Sequence, residues 1–224
     1  MNRIPRFKEY KVLLYRILLV YFFYFITRVL FYFYNANLIQ VDHFSDFFIL
    51  YFHGLAFDTT AILYVNLLFI VFSVLPLWIN TKKKYQNGLF YLYFFTNLLA
   101  IATNFIDFIY YRYNFGRSTI ASSEILSHES NKSLLFFNFL IHYWHVFILF
   151  FACSFLWIFL YKKVSINEQI ILNKISYFAT SIVSFLIIST LIIGGIRGDF
   201  QKSTRPINLL DASRYAKTSS QADL

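Results

Sequence analysis

The stretch Leu89-Phe-Tyr-Leu-Tyr-Phe-Phe-Thr-Asn97-Leu-Leu-Ala-Ile-Ala-Thr-Asn104-Phe-Ile-Asp107-Phe-Ile-Tyr-Tyr111 decides the class of fold. As a helix rising about 1.5 Å per residue it reaches about 34 Å, against roughly 30 Å of hydrocarbon in a bilayer. It runs on into Arg112-Tyr-Asn-Phe-Gly116-Arg117-Ser118-Thr119, so an amide, a carboxylate and two guanidinium groups arrive at one membrane face. Ionisable groups at that depth are costly in hydrocarbon, so they turn to partners, a cavity or the interface, and they suggest function by default.

Four more apolar runs flank it: Val12 to Tyr34, Phe47 to Ile79, Leu134 to Tyr161 and Ile175 to Ile196. Of the 224 residues 58% are hydrophobic and 14% charged. A soluble domain averages about 45–50% apolar and about 25% charged, so both departures point to lipid. The net charge of +9 sits in short blocks between the apolar runs, which is the pattern of topology signals and argues against nucleic acid. The expected fold is therefore all-α: a polytopic membrane protein, a bundle of five transmembrane helices with a short interfacial helix. The spans fall at about 12–34, 56–79, 89–111, 134–161 and 175–196.

Each run has local punctuation. Arg3, Arg6, Lys8 and Lys11 precede the first, which is too long for a signal peptide, contains Arg16 and Arg28, and lacks a small-x-small cleavage site. It reads as an uncleaved first span. The second run would make a helix of about 50 Å, more than a bilayer needs. Phe47 to His53 is therefore expected along the interface, with a bend at Gly54 and the span starting near Ala56. Asp42 is positioned to cap a helix there, with Asp46 in its first turn. Pro76 lies near the far end, where a missing amide hydrogen does least harm. Trp144 and Trp157, toward the two ends of the fourth run, fit interfacial belts. Gly194-Gly195 is expected to loosen the exit of the fifth. The lone cysteine, Cys153, has no intramolecular partner and reads as a small apolar residue.

The Lys and Arg count sets orientation. Five precede or open the first span, three form Lys82 to Lys84, and Lys162, Lys163 and Lys174 add three, all on one side. The opposite loops carry Arg112, Arg117 and Lys132. The positive-inside rule puts the amino terminus in the cytoplasm, and five crossings put Arg197 to Leu224 outside.

On that outer side Arg28, Asp58, Asp107 and Arg112 are expected at similar depth; Asn104, three residues before Asp107 on the same helical face, and Arg117 join them in one polar layer, with Asn66 and Asn97 deeper. In one reading the arginines bind the phosphate of an anionic lipid head group while Asp58 and Asp107 hold the guanidiniums, since the planar fork meets phosphate oxygens two at a time. In the other, the layer consists of interhelical ion pairs and snorkelling arginines that fix packing. His142 and His145, one helical turn apart, lack a third ligand for a metal and read as hydrogen-bonded interfacial histidines. Ser118, Thr119, Ser122 and Ser123 resemble helix-start chemistry, with no base to activate them. No glycine-rich phosphate loop, Ser-His-Asp set or paired cysteine motif occurs.

Three stretches together resemble the membrane portion of lipoteichoic acid synthase-like proteins, in the sulfatase and alkaline phosphatase superfamily. They are Gly54-Leu-Ala-Phe-Asp58-Thr-Thr-Ala-Ile-Leu-Tyr-Val-Asn66, then Asn104-Phe-Ile-Asp107 through Arg117-Ser118-Thr119, then Arg197-Gly-Asp-Phe-Gln201 with Arg205-Pro206-Ile207 and Ala212 to Leu224. The resemblance implies a membrane-anchoring domain followed by an extracytoplasmic catalytic domain. That domain would use a divalent metal and a threonine nucleophile to move phosphoglycerol, or a related head group, from phospholipid to a glycan. It also implies a multi-pass protein of the bacterial cytoplasmic membrane. The catalytic residues of such a phosphotransferase or sulfatase-like hydrolase have no counterpart here, so residues 197–224 read as an extracytoplasmic linker and the chain as a fragment that is not catalytic alone, with no cofactor of its own. The alternative is a stand-alone small integral membrane protein that binds lipid or assembles with partners, a homo-oligomer among them, without enzyme activity. A transporter is disfavoured, because five spans do not divide into inverted halves.

Overall fold

Where sequence stays apolar for twenty residues or more, backbone N–H and C=O groups in lipid have only each other as partners, and helices result. A computed structural model describes residues 6–39, 41, 44–118, 137–138, 140–166 and 174–197. Its helices are α1 (Phe7–Tyr34), α2 (Phe44–Val65), α3 (Leu67–Val74), α4 (Lys83–Asn114), α5 (Trp144–Lys163) and α6 (Lys174–Arg197). Five of them, all but α3, are long and apolar enough to cross a membrane. The protein is all-α and polytopic, with no strand among the described residues. Asp42, His43, Thr119, Ser122, Ser123, Lys132 and the segment from residue 198 on lie outside the described residues.

The second run does not break where glycine suggested. α2 passes through Gly54 without interruption, and the helix is interrupted at Asn66, whose φ of −99° and ψ of 8° leave the α region. Gly54 instead makes room: a Cβ there would collide with Arg28 Nη1 and lie 3.1 Å from its Cζ. The far end of the run comes early as well. α3 stops at Val74 because Leu75, which precedes Pro76, is forced to ψ 141°, the extended conformation that the proline ring imposes on its neighbour.

The described residues divide into two compact units. The first gathers residues 6–22, 55–98, 157–166 and 174–197. Its centre is a pair of amides, Asn66 and Asn97, 0% and 1% exposed. Asn66 Nδ2 donates to Asn97 Oδ1 at 3.0 Å and Asn97 Nδ2 donates back to Asn66 Oδ1 at 2.7 Å. Each also donates to the carbonyl one turn earlier on its own helix, Ile62 and Tyr93. Trp157 is buried inside the protein here: its indole N–H donates to Tyr93 Oη at 2.9 Å, and that hydroxyl donates to the Arg16 carbonyl. A large ring with one donor is stable inside when the donor is satisfied. Gly195 does not loosen α6, which continues to Arg197. It lets α6 approach α2, with Thr59 Cγ2 3.4 Å from where a Cβ would stand, and Thr60 Oγ1 donates to the Ile196 carbonyl at 3.2 Å.

The second unit gathers residues 23–39, 41, 44–54, 99–118, 137–138 and 140–156. Its core is aromatic. Phe31 meets Tyr111 edge-on with centroids 5.2 Å apart, and Phe105 stacks on Phe108 at 4.8 Å. Asn35 is buried against Phe108.

Candidate functional site

Five of the six residues of the expected polar layer fall in the second unit: Arg28, Asn104, Asp107, Arg112 and Arg117. Asp58 falls in the first, where it is buried near the Tyr21 hydroxyl.

Arg112 sits in the last turn of α4, where a cation complements the helix dipole. It is exposed, its Cζ lies 4.7 Å from the centre of the Tyr34 ring, and its Nη2 donates to the Tyr34 carbonyl at 3.2 Å. Tyr34 in turn shares a 3.0 Å hydrogen bond between its hydroxyl and His145 Nε2, and the two rings stack. The hydroxyls of Tyr113 and Tyr143 pair with each other. Arg112 is close enough to Tyr143 to act on it electrostatically. His142 Nδ1 pairs with the Asn138 carbonyl at 2.8 Å. No group of three or more His, Cys, Asp or Glu side chains able to hold a metal occurs among the described residues.

Asp107 was expected to hold a guanidinium; it holds a turn. Its Oδ1 accepts from the Ser118 backbone N–H at 2.8 Å and from Ser118 Oγ at 2.5 Å. α4 ends at Asn114 and Phe115 swings to φ 53°, a left-handed helix end. The buried carboxylate satisfies the chain that follows, and this places Arg117 over the Phe31 ring at 4.8 Å. Asn104 is half-buried one turn before Asp107. Arg28 lies over the Tyr51 ring at 5.7 Å, against Gly54. The three arginines of this unit thus share one device: each guanidinium is laid on an aromatic face, which attracts the cation and fixes its position.

The first unit holds a second polar centre that the sequence reading took for topology charges. Arg6 is buried, with φ 72°, an uncommon conformation for a residue other than glycine. Its guanidinium donates from Nη2 to the Ser73 carbonyl (2.9 Å), from Nη1 to the Val74 carbonyl (2.8 Å) and Ser181 Oγ (2.8 Å), and from Nε to Glu9 Oε2 (2.8 Å). It caps the carbonyls that α3 leaves open when Pro76 ends it. Glu9 also accepts from Tyr177 Oη at 3.3 Å. Arg16, equally buried, lies over the Tyr161 ring at 4.2 Å and donates to Gln86 Oε1 at 3.1 Å. Its position within an apolar run was the available sign, since a cation deep in a span is seldom there for topology alone.

Comparison with known protein families, with curated proteins and with solved structures finds no match. The fold and its two polar centres therefore have to speak for the chain.

Proposed function

We propose that this chain is the membrane domain of a lipoteichoic acid synthase-like phosphotransferase, in which the arginines of the second unit engage the anionic head group of a phospholipid. The observation that carries the reading is Arg112. It is exposed, held from beneath by the Tyr34 ring, and tied by one amino group to a carbonyl, with no carboxylate partner among the described residues. A fork fixed on one side with its other donors open suits bidentate contact with phosphate. The resemblance of residues 54–66, 104–119 and 197–224 to the membrane portion of such proteins supports this family in the reading. In this reading the amino terminus is cytoplasmic, the spans lie in a bacterial cytoplasmic membrane, and Arg197 onward is extracytoplasmic. The divalent metal and threonine nucleophile belong to a domain outside these residues.

Two measurements test it. A phosphatase reporter fused after Leu224 is expected to be active outside the cytoplasm. In native mass spectrometry of the purified chain, Arg112→Ala is expected to weaken retention of phosphatidylglycerol about fivefold, from about 1 kcal/mol per basic group at a lipid surface. Unchanged retention, or a reporter active only in the cytosol, overturns the proposal. If lipid retention responds to Arg112 but the reading frame stops after codon 224, the stand-alone lipid-binding protein is the better description.

A further inference from the structure

One end of the first unit is a lysine face. Every described lysine lies in this unit, and contacts between its helices bring their positions together. Arg6, just ahead of α1, reaches the Val74 carbonyl at the end of α3 and Ser181 Oγ within the first two turns of α6, each at 2.8 Å. Tyr85, in the first turn of α4, donates to the Phe72 carbonyl at 2.8 Å. Tyr15 of α1 donates to the Leu160 carbonyl, near the end of α5, at 2.9 Å. The starts of α1, α4 and α6 and the ends of α3 and α5 therefore meet, and Lys11, Lys82, Lys84, Lys162 and Lys174 are exposed there.

Little in the described part of this unit opposes that charge. Its described carboxylates are Glu9 and Asp58. Glu9 is buried and committed to Arg6 Nε at 2.8 Å. Asp58 is buried toward the other end, close in sequence to Thr60, which bonds the Ile196 carbonyl where α6 finishes. Three of the ammonium groups are placed over rings: Lys11 over Phe7 at 4.6 Å, Lys162 over Phe90 at 5.3 Å and Lys174 over Trp78 at 4.9 Å. A ring fixes where a cation stands without neutralising it. The connector between α3 and α4 adds apolar surface at the same end. Leu77, Trp78 and Ile79 are all exposed, Trp78 by 52%, and the Lys82 N–H donates to the Ile79 carbonyl at 2.9 Å, so the cations begin directly after the apolar triplet. A soluble polyanion would meet the lysines and leave these three side chains in water. A phospholipid meets both, with phosphate for the cations and acyl chains for the apolar groups, and tryptophan suits that boundary.

We infer that this lysine face binds the anionic head groups of phospholipids in the leaflet it meets, with Leu77, Trp78 and Ile79 set among their acyl chains. The site belongs to the first unit alone. It depends neither on the function proposed for Arg112 nor on which way the chain runs across the membrane.

The full chain in nanodiscs tests this, with Trp78 as a local reporter. Phosphatidylglycerol or phosphatidylcholine with brominated acyl chains, which quench tryptophan on contact, is added as the minor lipid in a phosphatidylcholine bilayer. The quenching lost in Trp78→Phe is the share that belongs to Trp78. At about fivefold per basic group near a lipid surface, the two lysines flanking Trp78 give phosphatidylglycerol a preference of about 25-fold over phosphatidylcholine. Lys82→Gln with Lys174→Gln should bring that preference close to parity, while Arg112→Ala leaves it unchanged. Raising salt from about 0.1 M to about 1 M shortens the screening length from about 10 Å to about 3 Å and should reduce the wild-type preference severalfold. Equal quenching by the two lipids in the wild type overturns the inference, and so does a preference that persists in the double variant. Should that variant not insert or fold, the salt series decides by itself, and a preference indifferent to salt overturns the inference. Binding of polyglutamate without any lipid preference would assign the face to an acidic protein instead.

Discussion

The Asn66–Asn97 pair gives the sharpest test of how the first unit is held together. Two amides face each other at 3.0 and 2.7 Å, fully enclosed, and each keeps a bond to its own helix. Replacing one of them with leucine, close to it in size, leaves the other amide with its cross-helix donor and acceptor unpaired. A cost of about 1–3 kcal/mol is expected for that. Replacing both removes the orphan, so the double variant should lose less than the two single losses combined. Interhelical hydrogen bonds inside membranes average about 0.6 kcal/mol by double-mutant cycle, so two of them give a coupling of about 1.2 kcal/mol, or about eightfold in the unfolding equilibrium. The cycle N66L, N97L and N66L/N97L, read by equilibrium unfolding in mixed micelles, measures this directly. Losses that add to within about 0.3–0.5 kcal/mol would mean the two residues act independently and would refute the account.

Gly195→Leu should destabilise the protein by about 1–3 kcal/mol, because the new side chain enters space held by Leu63 and Thr59. Adding Leu63→Ala should recover part of the loss in a thermal melt in detergent; no recovery would place the strain elsewhere. Asp107→Ala should free the turn after α4, since Ser118 loses both of its bonds to the carboxylate. At about 1.5–3 kcal/mol for hydrogen bonds to a charged group, amide exchange at Phe115 to Ser118 should quicken roughly 10- to 150-fold while Gly54 is unaffected. Unaltered exchange there would remove Asp107 from the role of positioning Arg117.

The helices were legible because a bilayer admits little else: runs such as Leu89 to Tyr111 have the length, and no other backbone pairing satisfies them. The polar residues were legible as exceptions but not as partners. Gly54 is a helix breaker by propensity, yet what it does depends on Arg28 arriving from another helix, which no local pattern records. Trp157 sits where a belt residue would, and only the Tyr93 hydroxyl makes the interior acceptable to it. Asp107 looked like a counter-ion because arginines follow it in sequence, but the left-handed Phe115 folds Ser118 back to it first. Arg6 and Arg16 were counted as charges that orient the chain, although both are buried among partners distant in sequence.

Arg6 also has a history within each molecule. It meets Ser181, 175 positions away, only after α6 has been made. Until α6 has been made the guanidinium lacks that partner, and in the proposed orientation it belongs to the basic block that keeps the amino terminus cytoplasmic. Once α6 is in place the same group withdraws into the protein and locks the ends of three segments together. If the proposed orientation holds, one residue works as an address during biogenesis and as a fastener afterwards, and a chain lacking it should reveal two separate defects at two different times.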